Sequence, residues 1–476
     1  MSGHERSRVN VSFLQELFSS IAEQGRQLLP RSLAWSDRKE DIDELARALL
    51  SSRGEASGVV IASEILSRYR QLDAAQRLEF LKFLAREMQP DVEAVTQAAR
   101  AYVARPGSGS LTRLQEAVDS PRQEFFRRLN RASGATQQIV ALRRDLIAAG
   151  EPALAPVDRD LKQLLASWFN RGFLVLRRID WQTPAAILEK IIAYEAVHEI
   201  QGWDDLRRRL DPADRRCFAF FHPSLIDEPL IFVEVALMGD MPGAIGEVLE
   251  EAPKNGDTQK PTTAVFYSIS NCQEGLRGIS FGNFLIKQVV EDLLKEIPSL
   301  KTFVTLSPVP HFARWLSETI AGNGSEVLLA AERQRLLALD DPTWVDGAVE
   351  AEAIKPLMLR LAAHYFLRAK ASDGRPVDPV ARFHLGNGAR LERINWLGDT
   401  SEKGLREGHG LMVNYRYELK DIEKNHEAYE NEGEVAASRA IHALLKPERT
   451  RTDAAKLLQL TGLVTGRSSA DRDDSR

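Results

Sequence analysis

The order of elements between residues 263 and 306 constrains the fold of this chain more than any other feature. A β-branched and aromatic run at 263–270 precedes a glycine-rich stretch, 271–282, and a strand-like run follows at 302–306. Between them, apolar residues recur on one face of a helix, at 286, 289, 290, 293 and 297. Strand, loop, helix and strand in this order predict an α/β domain.

The first third of the chain has helical patterns instead. Residues 14, 17, 18 and 21 fall on one helix face within 11–29, and Asp73 is placed to cap a helix with a stripe of Leu78, Leu81, Leu84 and Met88. Residues 41–50 and 110–118 look similar. We expect an all-α bundle over 1–160, which serves packing or oligomerisation, and a catalytic α/β domain over 161–465. The polar residues 466–476 are expected to be a disordered tail.

After Pro156 the pattern changes. We expect strands at 173–179, 217–221 and 230–238, helices at 181–198 and within 325–370, and strands and loops over 383–417. The fold class that results is an α+β protein of two domains, a helical bundle followed by an α/β domain.

Composition excludes several classes of protein. The chain has 63 basic and 68 acidic residues, a net charge of -5, which argues against a general nucleic-acid binder. Membrane spans are not expected, because no run of about 18 apolar residues occurs. Two cysteines, Cys217 and Cys272, cannot form a multi-cysteine zinc site, and no histidine pair has metal-ligand spacing, so no metal is expected. Neither end resembles a targeting signal, which predicts a cytoplasmic protein.

The glycine-rich stretch is the strongest candidate for a binding site. Gly275, Gly278 and Gly282 lie between a strand and a helix, beside Arg277, and backbone N–H groups at such a loop can bind a pyrophosphate. The spacing is neither Walker A nor the Rossmann fingerprint. It resembles the pyrophosphate loop of GNAT-type N-acetyltransferases, with Ser280 in place of the middle glycine. A plain strand-to-helix turn is the alternative.

Four other residues are candidates for catalysis. Ser307 directly follows a strand and precedes two prolines, at a sheet edge where α/β folds bind ligands, although a turn cap would have the same pattern. His384 can transfer protons near neutral pH, and Asn387-Gly388 after it predicts a tight turn. Tyr417 ends an alternating aromatic run that also fits a core strand. Lys190 lies on a predicted helix whose face could simply be solvated.

Several segments together resemble one family, malonyl-CoA decarboxylase. They are FYSIS at 266–270, the loop 275–282, FLIK at 284–287, LSPVP at 306–310, FHL at 383–385, NGA at 387–389, RINW at 393–396, GLM at 410–412 and NYRY at 414–417. The resemblance is close over roughly 160–425, and the helical first third fits the family's layout.

The resemblance implies a helical oligomerisation domain, a GNAT-type catalytic domain and a homo-oligomer, either a dimer or a tetramer. It implies conversion of malonyl-CoA to acetyl-CoA and carbon dioxide in fatty-acid and malonate metabolism, without a cofactor, since CoA is part of the substrate. It assigns catalysis to Ser307, His384, Tyr417 and Lys190. It assigns CoA binding to the loop residues Arg277, Gly278, Ile279, Ser280, Phe281, Gly282 and Asn283, with Ser307 and His384 also contacting substrate.

One departure from the family and two other functions remain open. Some family members carry an acid where this chain has Ser280, so we expect Ser280 to contribute to binding alone. We expect His384 to protonate the enolate, Ser307 to orient His384 or the malonyl carboxylate, and Tyr417 to hold the carboxylate or carbonyl. The alternatives are a GNAT-type N-acyltransferase, which needs an amine acceptor, and an acyl-CoA-binding protein without turnover.

Overall fold

The structure, a computed structural model, describes residues 41–51, 54–250, 260–279, 285–322, 327–340, 344–345 and 347–445. The chain divides into two compact units. The first comprises residues up to 234 together with 268–285, and the second comprises 235–267 together with the residues from 286 onward. The helix expected over 11–29 and the tail expected over 466–476 lie outside the described residues.

The first unit begins with helices, as the sequence predicted. Their bounds are Ile42–Ser51, Glu55–Gln71, Ala74–Glu87, Val92–Ala104, Ser108–Val118, Pro121–Leu129, Ala135–Ala149 and Ala155–Trp168. Asp73 accepts a hydrogen bond from the backbone N–H of Gln76, whose side chain accepts one in return from the Asp73 backbone N–H, so a capping box starts the third helix. Of the predicted stripe, Leu81, Leu84 and Met88 are buried and Leu78 is half-buried.

The helix Ala155–Trp168 runs through the domain boundary expected at residue 160. Pro156 lies in its first turn, where a helix does not need the backbone N–H that proline lacks. This proline therefore accompanies the start of a helix, and the change from helices to strands comes later in the chain. Strands begin only at Val175.

Two strands and two helices follow in the first unit. β1 (Val175–Ile179) pairs antiparallel with β2 (Arg215–Phe221), and the helices Ala185–Tyr194 and Trp203–Leu210 lie between them in sequence. The first helix is shorter than the 181–198 expected, because it starts after Pro184 and ends at Tyr194. Its buried residues Ile187, Leu188 and Ile191 share a hydrophobic core with Phe232 and Cys217.

Six more strands are described: β3 (Pro229–Met238), β4 (Thr263–Asn271), β5 (Thr302–Thr305), β6 (Ser307–Pro308), β7 (Arg390–Asn395) and β8 (Met412–Arg416). The described strands follow the order β1-β2-β3-β4-β5-β8-β6, with β7 paired to β8. β4 and β5 are parallel, as a strand–helix–strand order requires, and β8 is antiparallel to β5, β6 and β7. The predicted helical region followed by a mixed α/β region is thus confirmed.

The helices of the α/β region agree only in part with the predictions from the sequence. Their bounds are Gly246–Leu249, Leu285–Glu296, Phe312–Ala321, Ala330–Leu336, Ala348–Leu367, Pro379–Gly386, Glu402–Gly408, Ile422–Glu432 and Arg439–Leu444. Of the predicted stripe, Ile286, Val289, Val290 and Leu293 are buried, and Ile297 is half-buried just after the helix ends. The expectation of strands and loops over 383–417 was wrong in part, since two of these helices fall there. Among the described residues, no helix is long and apolar enough to cross a membrane.

Candidate active site

Ser307 is positioned by the short strand β6, one residue after β5 ends. It pairs with Val413 of β8, and Pro308 pairs with Met412. Two prolines, Pro308 and Pro310, limit the backbone angles around it. The Ser307 side chain is buried in the second unit. The predicted strand thus ends one residue early, at Thr305, and Ser307 lies close to its end but within a strand of its own.

His384 comes from the last turn of the helix Pro379–Gly386. Asp378 caps this helix by accepting a hydrogen bond from the backbone N–H of Ala381, and Pro379 occupies the first helical position. Asn387 ends the helix and Gly388 has a φ of 79°, so the predicted tight turn is a helix end. The imidazole is buried and stacks on the ring of Tyr415, with centroids 4.6 Å apart.

Ser307, His384 and Tyr417 form one hydrogen-bonded chain in the second unit. The Ser307 hydroxyl oxygen lies 3.1 Å from Nε2 of His384, and the Tyr417 hydroxyl lies 2.8 Å from Nδ1 of the same ring. Ser307 also donates to Oγ1 of Thr305 at 2.9 Å. Because the Ser307 hydroxyl donates to Thr305, its oxygen is free to accept a hydrogen bond from Nε2–H of His384. The Tyr417 hydroxyl then donates to Nδ1, and the donors of Ser307, His384 and Tyr417 all have acceptors.

These three groups carry no charge near neutral pH. Burial lowers the pKa of His384 to about 3, and burial raises the pKa of Tyr417 well above its ordinary value. The imidazole is therefore neutral and the phenol keeps its proton. A carboxylate brought beside His384 by a ligand would favour the protonated ring, because an opposite charge nearby raises the pKa of a histidine.

Two polar residues support this site and were missed by the sequence analysis. Asn414 is fully buried, and its Nδ2 donates to the carbonyl oxygen of Thr305 at 2.8 Å. Its Oδ1 accepts a hydrogen bond from Asn395 at 2.8 Å. Thr305 in turn accepts from Ser307 and from the backbone N–H of Tyr415. The two side chains join β5, β7 and β8 around Ser307. A polar residue inside an apolar strand was the one signal available for each.

The predicted binding loop is described up to Ile279 and belongs to the first unit, while residues 280–283 of it lie outside the described residues. Gly278 has a φ of 76°, a conformation that favours glycine, and the Arg277 side chain is 63% exposed. Gly275 has a role in packing. A Cβ at this position would overlap the carbonyl oxygen of Val140, so Gly275 permits close packing on the helix Ala135–Ala149.

Lys190 also belongs to the first unit, on the helix Ala185–Tyr194. Its Nζ lies 2.7 Å from a carboxylate oxygen of Glu228 and donates to the Asp227 carbonyl oxygen at 3.0 Å. Glu228 also accepts hydrogen bonds from Tyr194 and Gln273. The structure thus brings Ser307, His384 and Tyr417 together, and it holds Lys190 in a separate network with the start of the loop.

Within the described part of the chain, no group of three or more His, Cys, Asp or Glu side chains is arranged to hold a metal ion. Both cysteines, Cys217 and Cys272, are buried and unpaired as disulfides. Burial raises the pKa of each thiol, so neither is a thiolate near neutral pH.

Comparison with known proteins gives a consistent result. The family model for the malonyl-CoA decarboxylase C-terminal domain matches residues 172–455, and that for the malonyl-CoA decarboxylase N-terminal domain matches 88–169. Among curated proteins, the mitochondrial malonyl-CoA decarboxylase of Anser anser anser is 37% identical over 415 residues, which cover 80% of this chain and 82% of the relative.

Solved structures agree. A crystal structure of malonyl-CoA decarboxylase from Rhodopseudomonas palustris is 54% identical, with a TM-score of 0.82, over 84% of this chain and 98% of the other. The corresponding structure from Agrobacterium vitis is 56% identical, with a TM-score of 0.81, over 86% of this chain and 100% of the other. Both regions of the chain, helical and α/β, are thus represented in one protein family.

Proposed function

The chain belongs to the malonyl-CoA decarboxylase family and is accordingly a carboxy-lyase, and we propose that it releases carbon dioxide from malonyl-CoA at Ser307, His384 and Tyr417. The observation that carries the assignment of the site is the buried hydrogen-bonded chain through both ring nitrogens of His384. An imidazole held at both nitrogens has a fixed orientation, which a proton donor to carbon requires.

The chemistry needs no external electron sink. When the bond between the α-carbon and the carboxylate breaks, its electron pair moves toward the thioester oxygen and carbon dioxide leaves. The resulting enolate then takes one proton at the α-carbon and becomes acetyl-CoA. The enzyme has to orient the carboxylate, stabilise the enolate oxygen and supply that proton. One proton is consumed from solvent in each turnover.

We assign the proton delivery to His384. In the free enzyme the ring is neutral, because burial lowers its pKa to about 3. The malonyl carboxylate brings a negative charge that favours the imidazolium, so the ring takes up a proton when the substrate binds. Once carbon dioxide has left, Nε2–H donates that proton to the α-carbon. The proton consumed by the reaction and the proton taken up on binding are then the same.

Tyr417 and Ser307 have complementary roles in this scheme. A tyrosine hydroxyl can donate to the neutral Nδ1 or accept from Nδ1–H, so Tyr417 can hold both protonation states of His384 in one orientation. This replaces the direct contact with the carboxylate or carbonyl that the sequence suggested for Tyr417. Ser307 faces the other nitrogen, and we propose that its hydroxyl orients the malonyl carboxylate.

We propose that the loop 277–283 binds the pyrophosphate of CoA. The left-handed backbone of Gly278 and the exposed Arg277 support this, since both are typical of anion-binding turns. Lys190 forms an ion pair with Glu228, and Glu228 accepts a hydrogen bond from Gln273 at the start of the loop. Lys190 thus supports the loop through Glu228. We expect no cofactor.

The experiment that tests the assignment is mass spectrometry of purified protein with malonyl-CoA and no amine acceptor, with Ser307→Ala beside the wild type. We expect acetyl-CoA from the wild type and at least about a hundredfold less from the variant. Product from both at equal rates would remove Ser307 from the mechanism. Turnover that depends on an added amine would favour an N-acyltransferase, and binding without turnover would favour an acyl-CoA-binding protein.

Three further proposals concern the oligomeric state, the metabolic role and the location of the protein. We propose a homo-oligomer, either a dimer or a tetramer, a role in fatty-acid and malonate metabolism, and a cytoplasmic location. The goose relative is named mitochondrial, so fractionation of cells that express the full chain is the direct test of location. Light scattering of the purified protein tests the oligomeric state.

A further inference from the structure

The last helix before the strands, Ala155–Trp168, places a lysine over the predicted phosphate loop. A Cβ added to Gly278 would lie 3.7 Å from Cε and 4.0 Å from Nζ of Lys162, so the ammonium group stands beside the backbone of the loop. The side chain of Lys162 is 48% exposed. Both residues belong to the first compact unit.

Arg143, on the neighbouring helix Ala135–Ala149, forms hydrogen bonds with the backbone of the loop. Its guanidinium is 1% exposed and donates to the carbonyl oxygen of Gly275 at 2.6 Å and to that of Arg277 at 2.9 Å. The fork geometry of a guanidinium sets both carbonyl directions at once. The conformation of this turn is therefore determined by the helical part of the unit.

The hydrogen bonds from Arg143 also determine the direction of a backbone donor in the turn, the N–H of Gly278. In a trans peptide the N–H points opposite to the C=O of the same unit. Since the Arg277 carbonyl points at Arg143, the N–H of Gly278 points away from it. Within the described parts of the chain, this N–H has no hydrogen-bond acceptor. Lys162 stands over the same glycine.

The charges around the turn leave an excess of one cation. Lys162 lies 3.1 Å from Asp158, whose other carboxylate oxygen accepts from Arg143 at 2.9 Å. Arg277 lies 3.6 Å from Glu274, and both of these side chains are 63% exposed. Three cations thus face two carboxylates. An ammonium has three donors, and Asp158 occupies one of those of Lys162.

We propose that Lys162 is a phosphate-binding residue of the CoA-ester site, supplied by the helical region, and that Arg143 positions the loop for it. The ligand is a phosphate group held jointly by Lys162, the N–H of Gly278 and Arg277. The proposal rests on the proposed CoA binding by this loop. The helical region then takes part in substrate binding, beyond packing and oligomerisation. The phosphate can belong to the pyrophosphate of CoA or to its 3′-phosphate.

The test compares Lys162→Gln with Lys82→Gln, which removes a cation from another helix of the same unit, where it pairs with Glu79. KM and kcat are measured with malonyl-CoA, with its analogue lacking the 3′-phosphate and with malonyl-pantetheine, which lacks all nucleotide phosphates. We expect Lys162→Gln to raise KM for malonyl-CoA about tenfold with kcat within about twofold, and Lys82→Gln to change neither.

The analogues identify the phosphate. If Lys162 binds the 3′-phosphate, the variant and the wild type have equal KM values with the analogue that lacks it. If Lys162 binds the pyrophosphate, the difference persists there and vanishes with malonyl-pantetheine. An unchanged KM for malonyl-CoA, or an equal rise with all three substrates, would overturn the proposal.

Calorimetric binding of CoA to the same proteins separates this inference from the proposed function. Loss of wild-type turnover with CoA binding intact would contradict the proposed reaction, while weaker CoA binding by Lys162→Gln than by Lys82→Gln would still support the role of Lys162. Equal CoA binding by both variants and the wild type would refute that role whatever the turnover.

Discussion

The hydroxyl of Tyr417 lies 2.8 Å from Nδ1 of His384, the ring nitrogen that faces away from Ser307. The phenol is buried and its pKa is raised well above the ordinary value by burial, so it stays a neutral hydroxyl at any physiological pH. A neutral hydroxyl can reverse its hydrogen bond when the ring changes its protonation state. In the proposed mechanism Tyr417 therefore positions His384, and the proton is delivered from the side of the ring that bears Nε2.

Replacing His384 by asparagine tests the proton donor. We expect His384→Asn to lower kcat by about 10²–10⁴-fold with KM within about threefold, since the donor acts mainly in the transition state. His409→Asn is the matched control, because His409 is another histidine of the second unit, half-buried, and its left-handed backbone suits asparagine. Steady-state kinetics with malonyl-CoA measures both. A His384→Asn enzyme with near-normal kcat would exclude this histidine as the donor.

Tyr417→Phe should change the pH dependence of the reaction. The active complex requires protonated His384, so kcat falls as the pH rises above the pKa of the ring in that complex. Loss of the Tyr417 acceptor destabilises the imidazolium and lowers this pKa. We expect the alkaline limb of kcat to move to lower pH and kcat at neutral pH to fall about tenfold.

The control for this change is Tyr429→Phe. Tyr429 is also buried in the second unit, and its hydroxyl has no hydrogen-bond partner within the described residues. We expect its kcat profile between about pH 5 and pH 9 to match that of the wild type. An alkaline limb that stays in place in Tyr417→Phe, or moves to higher pH, would count against the positioning role.

Glu234 should make stability depend on pH. Burial raises the pKa of this fully buried carboxyl to about 8 from 4.5, the nearby Glu195 raises it further, and Arg209 at 3.2 Å opposes both. A folded pKa above the unfolded one means that the folded state binds more protons. The stability contributed by this group is then complete below pH 4.5 and is lost as the pH rises through about 8.

Glu234→Gln removes this titration while keeping the shape of the side chain. We expect the Tm of the variant relative to wild type to rise by on the order of 5 °C between about pH 5 and pH 9. Glu291→Gln, at an exposed helix position, should leave the Tm difference constant over this range. Parallel Tm curves for Glu234→Gln and the wild type would show that Glu234 does not titrate in this window.

Gly275→Ala should destabilise the protein because a Cβ there overlaps the carbonyl oxygen of Val140. We expect Tm to fall by about 5 °C and KM for malonyl-CoA to rise. Gly109→Ala is the control, since a Cβ at Gly109 meets nothing within 4 Å on the helix Ser108–Val118. There we expect Tm to rise by about 1–3 °C, because alanine favours helix. Similar Tm values for Gly275→Ala and the wild type would mean that the loop does not pack closely on this helix.

Local patterns predicted much of the fold. The capping box at Asp73 and the apolar stripe at Val289, Val290 and Leu293 each depend on residues of a single helix. Such local features can be predicted from the sequence. The helix Pro379–Gly386 was missed because it is short and its end, Asn387-Gly388, has the same residues as a hairpin turn. A glycine with positive φ serves both structures, and the pattern alone does not separate them.

Some residues of the candidate site could be predicted from the sequence and others could not. Ser307, His384 and Tyr417 were indicated by their motifs together, although they lie 77 and 33 residues apart along the chain. Arg143 and Lys162 had no such signal, because a basic residue on an amphipathic helix is ordinary. Their roles come from contacts with a turn more than a hundred residues later, as the Arg143–Gly275 separation of 132 residues illustrates.

That separation has a consequence for how the loop acquires its shape. Residues 275–277 form local hydrogen bonds, but two of their carbonyl oxygens also accept hydrogen bonds from Arg143, which the chain supplies long before them. A shortened chain that begins at the strands would lack Arg143, and the turn would lose both hydrogen bonds that this arginine donates. The helical region thus stabilises a loop that is distant from it in sequence.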